Sequence, residues 1–355
     1  MERHQIIFPG VPCPLLETPV SIDEVLIFAQ DLYSRWALPP SIIGLFAEAP
    51  PDGVEWMVEI YMELMLPYDK FFHFTDSQRE YDMLFSGSTL FYGCLIQLFT
   101  YPRWPHYLPV IVDYILLYFL VDHYLDDETI PRETRMKRAM ILRARMVNPI
   151  PHPDDDKHLA FFTEVYSDFL SRCPACKSFL LQLFDIEMET LRTQSNPSSS
   201  LESQLDLLYR KGGFTMAVLG GFGLPDPGES PSFSDDTIRL INLQQQVGVL
   251  VQFLDDFLDY YEDRGSGYHN VITYCVDHDM LPTLLYHILH IINGLDGFNN
   301  LFRIIGLHSV AYLVATTPLC QSYGDLIAFL APYNPFPGSG RLANELTSRL
   351  HRYLH

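Results

Sequence analysis

A chain of 355 residues, 48% apolar and 19% charged, can form one large domain or two ordinary ones and is too apolar to be disordered. Its 23 Lys and Arg against 44 Asp and Glu leave a net charge of −21, which excludes a general affinity for nucleic acid or anionic membranes and requires local cations around any phosphate ligand. Six scattered cysteines make no disulfide framework, so a reducing, cytoplasmic setting is expected.

The N-terminus, MERHQIIFPGVPCP, has no long apolar stretch after its basic residues and does not read as a signal peptide. Eight prolines among the first 51 residues predict an irregular arm, residues 1–55, with one short helix around Ile22 to Trp36. Residues 56–355 are expected to form one helical domain. Helical spacing runs through Ser88 to Phe99, Leu108 to Leu125, Leu159 to Cys173, Ser178 to Arg192, Leu201 to Tyr209, Thr237 to Glu262, Leu281 to Leu295 and Leu301 to Ala315. Loop compositions separate them, among them NPIPHPDDD and GLPDPGESPSFSD, and none is long enough to be a domain linker. No alternating strand pattern of useful length and no internal repeat is present, so the expected fold is all-α.

Residues 107 to 127 imitate a membrane span, but Asp113 in the middle and the acids at the end are costly in hydrocarbon; a buried core helix is expected, and no membrane span. Cys173-Pro-Ala-Cys176 is a single C-x-x-C with no second pair and no adjacent strand-helix pattern, so the sequence alone does not make it a metal or redox site.

Two acidic clusters end the most apolar helical segments. The first is VDHYLDDE, with Asp122, Asp126, Asp127 and Glu128; the second is DDFLDYYED, with Asp255, Asp256, Asp259 and Asp263. Each helical residue advances about 100°, so Asp255, Asp259 and Asp263 share one stripe. Carboxylates at a helix C-terminus oppose the macrodipole and repel one another. A solvated acidic face is the plain explanation for either cluster alone, and it weakens because both clusters follow oily helices. Mg²⁺ would remove the conflict, since it takes oxygen ligands from one or two carboxylates, waters and substrate phosphate. Five carboxylates and a diphosphate carry about −8, which about three Mg²⁺ nearly offset.

No P-loop, no glycine-rich dinucleotide motif and no zinc spacing among the 13 His is present, and no G-x-S-x-G elbow. The acidic motifs resemble those of class I terpene synthases of the compact bacterial and fungal type, similar to sesquiterpene cyclases. Asp122-His123-Tyr124-Leu125-Asp126 stands for the family's D-D-x-x-D/E, with His123 in place of the second Asp. Asp255 to Asp263 stands for N/D-D-x-x-S/T-x-x-x-E, with Asp259 in place of Ser or Thr and Asp263 in place of Glu. His269-Asn270-Val271 resembles the downstream H-N-L-V. Arg210, 45 residues before Asp255, is similar to the diphosphate-sensing Arg, and Gly212-Gly213 follows at the position of the family's helix break. Arg352-Tyr353 resembles the family's C-terminal Arg-Tyr pair.

The resemblance implies a single-domain antiparallel helical bundle with a central apolar cavity for a prenyl diphosphate. It implies Mg²⁺, about three ions, on Asp122, Asp126, Asp255, Asp259 and Asp263. Arg210, Arg264, Arg352 and Tyr353 would contact diphosphate, with Arg210, Arg352 and Tyr353 taking part in catalysis. Phe91, Tyr92, Tyr118, Gly213 and Phe214 would line the pocket, aromatic faces stabilising a carbocation. The expected reaction is cyclisation of farnesyl diphosphate to a sesquiterpene.

Prenyl diphosphate synthases share the implied fold and form the nearest alternative: Asp255 to Asp259 is a literal D-D-x-x-D, and LLYRKGG with Lys211 resembles their Lys-containing segment. The first 100 residues lack the G-K-x-x-R expected for a second diphosphate. A diterpene synthase, an enzyme releasing a linear alcohol, and a non-enzymatic Ca²⁺-binding helical protein complete the alternatives. Monomer and homodimer are both compatible with the sequence.

Overall fold

The computed structural model describes residues 19–41, most positions from 110 to 125, and residues 130–193, 200–221, 235–295 and 300–334. Every regular element among them is helical. The contacts divide them into two compact units: one holds residues 19–41, Asp185–Ala217 and those from Ile241 onward, and the other holds the described residues between 110 and 184 together with 218–221 and 235–240.

In the first unit, α1 (Ile22–Trp36) starts at a capping box in which Ser21 and Glu24 satisfy each other's backbone N–H. Its Val25, Ala29, Leu32 and Tyr33 are at most 2% exposed, so this proline-flanked segment is a core helix as well as a local one. It packs on α9 (Leu281–Gly294), α10 (Leu301–Thr316) and α11 (Gly324–Leu330). Val20 N–H donates to Thr283 Oγ1 at 2.9 Å, and the Tyr33 hydroxyl donates to the Leu307 carbonyl, which fixes both ends of the helix.

In the second unit, the described positions between 110 and 125 are helical. Asp113, 1% exposed, accepts from Arg172 Nη1 at 2.7 Å, which explains how a carboxylate survives in that oily run. Helix α2 (Arg132–Val147) is rich in charge and buries only Ala139, Leu142 and Met146. It is followed by α3 (Lys157–Arg172), capped by the Asp156 side chain, and a one-turn 3₁₀ helix, Pro174–Cys176, leads into α4 (Lys177–Thr193).

Three further helices of the chain position the acidic stripe: α5 (Leu201–Gly221), α6 (Asp235–Leu258) and α7 (Tyr260–Ser266); α8 (Val271–Asp277) follows. Helix α5 runs unbroken through Gly212 and Gly213, against the expected break. The reason is packing. A Cβ at Gly212 would lie 2.5 Å from the Gly248 carbonyl oxygen, and one at Gly248 would lie 2.7 Å from Met216 Cγ, so the glycines serve close approach of α5 and α6. Among the described residues no helix is long and apolar enough to cross a membrane.

Candidate functional site

The second acidic motif lies where α6 gives way to α7. Asp259 bends the chain, with φ −87° and ψ 0°, yet the bonds Asp259 N–H to Asp255 O (3.0 Å) and Asp263 N–H to Asp259 O (2.9 Å) keep the helical rise. The bend corrects the expected continuous helix to Glu262. The stripe persists because a four-residue step still returns each carboxylate to nearly the same face.

Asp255 and Asp259 are exposed, and Asp256 and Asp263 are half-buried. Loss of hydration is the first cause raising all four acids. It lifts Asp256 to about 7, with Asp255 adding repulsion, and Asp259 and Asp263 each to about 6, again with Asp255 as the leading charge. Asp255 itself is raised, and by the same first cause. The groups are therefore crowded carboxylates that a small ion can still reach.

One cation offsets part of this. Lys211, on α5, lowers Asp255, Asp256, Asp259 and Asp263, and its Nζ lies 3.3 Å from Glu187 Oε2. Two amides complete the arrangement. Gln252 Nε2 donates to Asp256 Oδ1 at 2.8 Å and Asp255 Oδ2 at 3.3 Å. Asn270 Nδ2 donates to Asp263 Oδ2 at 2.6 Å while its Oδ1 caps α8. Lys211, Gln252, Asp256 and Asn270, together with Leu208 and Val271, line a small, largely apolar cavity of about 30 Å³, room for one or two waters.

The other candidates fall differently. Arg210 is held by Glu189, through Nη1 and Nη2 at 2.8 Å each, and by Asp206 at 2.8 Å from Nε. Arg264 pairs with Asp277 at 3.0 Å and donates to the Tyr260 hydroxyl. Phe214 is buried and Tyr118 half-buried, and neither lines the small cavity beside the stripe; Gly213 is buried within α5. Asp122, His123, Asp126, Asp127, Glu128, Phe91, Tyr92, Arg352 and Tyr353 lie outside the described residues.

Gln252, Glu187 and Glu189 are partners the sequence reading did not single out, and Asn270 entered it only as part of His269-Asn270-Val271. Gln252 had a signal, standing one helical turn before Asp256; the glutamates on α4 had none, being ordinary acids on a separate helix.

Among the described residues no three carboxylate, imidazole or thiol groups converge tightly enough to ligate one ion unaided. Compared with family models, curated proteins and solved structures, the chain matches none.

Proposed function

We propose that the protein is a Mg²⁺-dependent terpene synthase on a class I terpenoid synthase bundle with a central apolar cavity. It would ionise a prenyl diphosphate, farnesyl diphosphate being the first candidate, and cyclise the allylic cation to a sesquiterpene with release of diphosphate. The observation that carries this reading is the stripe Asp255, Asp259 and Asp263: carboxylates short of hydration, crowded against each other, and still accessible.

Those three carboxylates would hold Mg²⁺, and Asp122 and Asp126 are proposed as the remaining carboxylate ligands. Bound there, the ion would supply Lewis-acid assistance to the leaving diphosphate. The chain's own contribution is orientation. Asn270 holds Asp263, Gln252 holds Asp255 and Asp256, and Lys211 offers an ammonium on the same side as the stripe. For Arg210 to contact diphosphate it must exchange Glu189 and Asp206 for phosphate oxygens, a like-for-like replacement of charge-assisted bonds. Arg264, Arg352 and Tyr353 are the remaining proposed diphosphate contacts.

One observation favours a second reading. The cation facing the stripe is Lys211, not Arg210, and a lysine beside a D-x-x-D suits a prenyl diphosphate synthase that condenses isopentenyl diphosphate onto an allylic partner.

The deciding experiment incubates the protein and Mg²⁺ with geranyl, farnesyl or geranylgeranyl diphosphate, with and without isopentenyl diphosphate, and identifies products before and after phosphatase. A cyclic hydrocarbon or terpene alcohol formed without isopentenyl diphosphate supports the synthase. Longer prenyl alcohols seen only with it, and only after phosphatase, transfer the assignment to chain elongation. No turnover of any substrate overturns both.

A further inference from the structure

The C-x-x-C that carries little as a sequence motif has a defined place in the fold, in the unit that does not contain the second acidic motif. Cys173 closes α3 and is also the N-cap of the 3₁₀ turn Pro174–Cys176, which runs straight into α4 at Lys177. One cysteine thus stands at the start of a helical segment and the other one turn inside it. The Cys176 N–H donates to the Cys173 carbonyl at 3.1 Å. Residues three apart in such a turn keep their Cα atoms within about 7 Å, which overlaps the span of a disulfide, about 4.4–6.8 Å.

The two thiols differ in access. Cys173 is half-buried and Cys176 fully buried, and both are reduced. They hydrogen-bond to each other, and that bond is the first cause raising Cys176, so the inner thiol keeps its proton and can share it with the outer sulfur. A second observation lies behind them. The Tyr166 hydroxyl, on α3, is buried without a hydrogen-bond partner and is within electrostatic reach of Cys176. A buried donor left unpartnered is costly, and a hydrogen bond to the inner sulfur, once anionic, would relieve that cost.

We propose that Cys173 and Cys176 form a reversible thiol–disulfide site that exchanges with small-molecule disulfides, Cys173 being the entry thiol and Cys176 the resolving one. Cys173, as thiolate, attacks one sulfur of the small disulfide; that S–S bond breaks and one small thiol leaves with a proton. Cys176 then loses its proton and attacks Cys173 Sγ, breaking the mixed disulfide and releasing the second small thiol. Two protein thiols are oxidised and one small disulfide is reduced to two thiols, so the exchange balances without another oxidant.

The whole chain is equilibrated in mixtures of reduced and oxidised glutathione, quenched with acid, alkylated and digested with trypsin. Cleavage after Arg172 and Lys177 releases residues 173–177 as one peptide, whose mass distinguishes two alkylated thiols, a glutathione adduct and an internal disulfide. The expected result is an internal disulfide, reversed by dithiothreitol, that forms at a ratio of oxidised to reduced glutathione at least about ten-fold lower in the folded chain than in the chain unfolded in guanidinium. Cys176→Ala should accumulate a glutathione adduct on Cys173. The proposal is overturned if the folded chain keeps both thiols alkylatable, if folding confers no advantage over the unfolded chain, or if the adduct appears on Cys176 first. The folded-versus-unfolded comparison needs no variant, so a folding defect in Cys176→Ala leaves the test intact.

Discussion

The Asn270 side chain joins the third carboxylate of the stripe to the next helix: its Nδ2 donates to Asp263 Oδ2 at 2.6 Å, and its Oδ1 accepts the Thr273 N–H at 2.9 Å. These two duties can be separated. Serine is about as good an N-cap as asparagine, but is too short to reach Asp263. Asn270→Ser should therefore keep stability within about 0.5 kcal/mol while the Mg²⁺ concentration needed for half-maximal turnover rises several-fold. Asn270→Ala should lose both, with about 0.5–2 kcal/mol of stability. Equal Mg²⁺ dependence of wild type and Asn270→Ser would remove the positioning role.

The stripe itself should trade stability against function. Acids whose folded values lie above their unfolded ones bind protons more readily when folded. The ion-free protein is therefore destabilised above about pH 7 and relieved as pH falls toward the unfolded value of 3.8. Asp259→Asn and Asp263→Asn should raise the ion-free thermal midpoint at pH 7.5 and abolish most Mg²⁺-dependent turnover. Mg²⁺ should raise the wild-type midpoint more at pH 7.5 than at pH 5.5. Calorimetry showing no Mg²⁺ effect at either pH would count against a metal site.

Arg210 and Lys211 can be told apart by their acids. Neutralising Glu189 and Asp206 together removes three charge-assisted bonds from an exposed network worth little to stability. If Arg210 serves diphosphate, the double variant Glu189→Gln, Asp206→Asn should bind inorganic diphosphate with Mg²⁺ several-fold more tightly, and Arg210→Gln should reverse the gain. If the gain instead disappears with Lys211→Gln and survives Arg210→Gln, the lysine is the anion's partner.

At the helix crossing, Gly212→Ala should cost about 1–3 kcal/mol, because the new Cβ would stand 2.5 Å from the Gly248 carbonyl oxygen. Gly265→Ala, where nothing lies within 4 Å, should be neutral or stabilising by up to about 1 kcal/mol. Urea titrations giving the two variants the same midpoint would mean that the helices do not meet at Gly212.

His287 provides a pH signature of opposite sign to the stripe. It is 1% exposed, its Nε2 meets the Tyr209 hydroxyl at 2.6 Å, and burial followed by His290 pushes it down to about 4. The unfolded chain therefore binds the extra proton between about pH 6.5 and 4, and stability falls as pH falls through that window, by at most on the order of 3 kcal/mol. His287→Gln should flatten this part of the profile relative to wild type. Parallel profiles for the two proteins would show that His287 is neutral in both states or charged in both.

Periodicity located the helices well wherever a cap or an apolar face marked them. The capping box at Ser21 and Glu24 sets the start of α1 at Ile22, as expected, and α9 and α10 end within one residue of their predicted limits. It missed α2, whose charge-rich surface offers little apolar rhythm, and the short α8 and α11. The break that the resemblance implied at Gly212-Gly213 is not there, and the glycines instead lie in a continuous helix where they admit the backbone of Gly248, distant in sequence. The stripe was legible because one helix carries it. Its partners were harder, since Lys211, Asn270 and Glu187 come from three other stretches of the chain, and pairing across elements leaves no periodic trace.

The Gly212–Gly248 crossing also governs the charge cluster. Lys211 adjoins one glycine, and Gln252 stands one turn beyond the other. Backbone meets backbone at this point, so the main chain sets how near the helices that carry the ammonium and the carboxylates can come. Substitutions that loosen the apolar core should lower the temperature at which the unit melts well before they retune its electrostatics, whereas a change at one of the two glycines should do both at once.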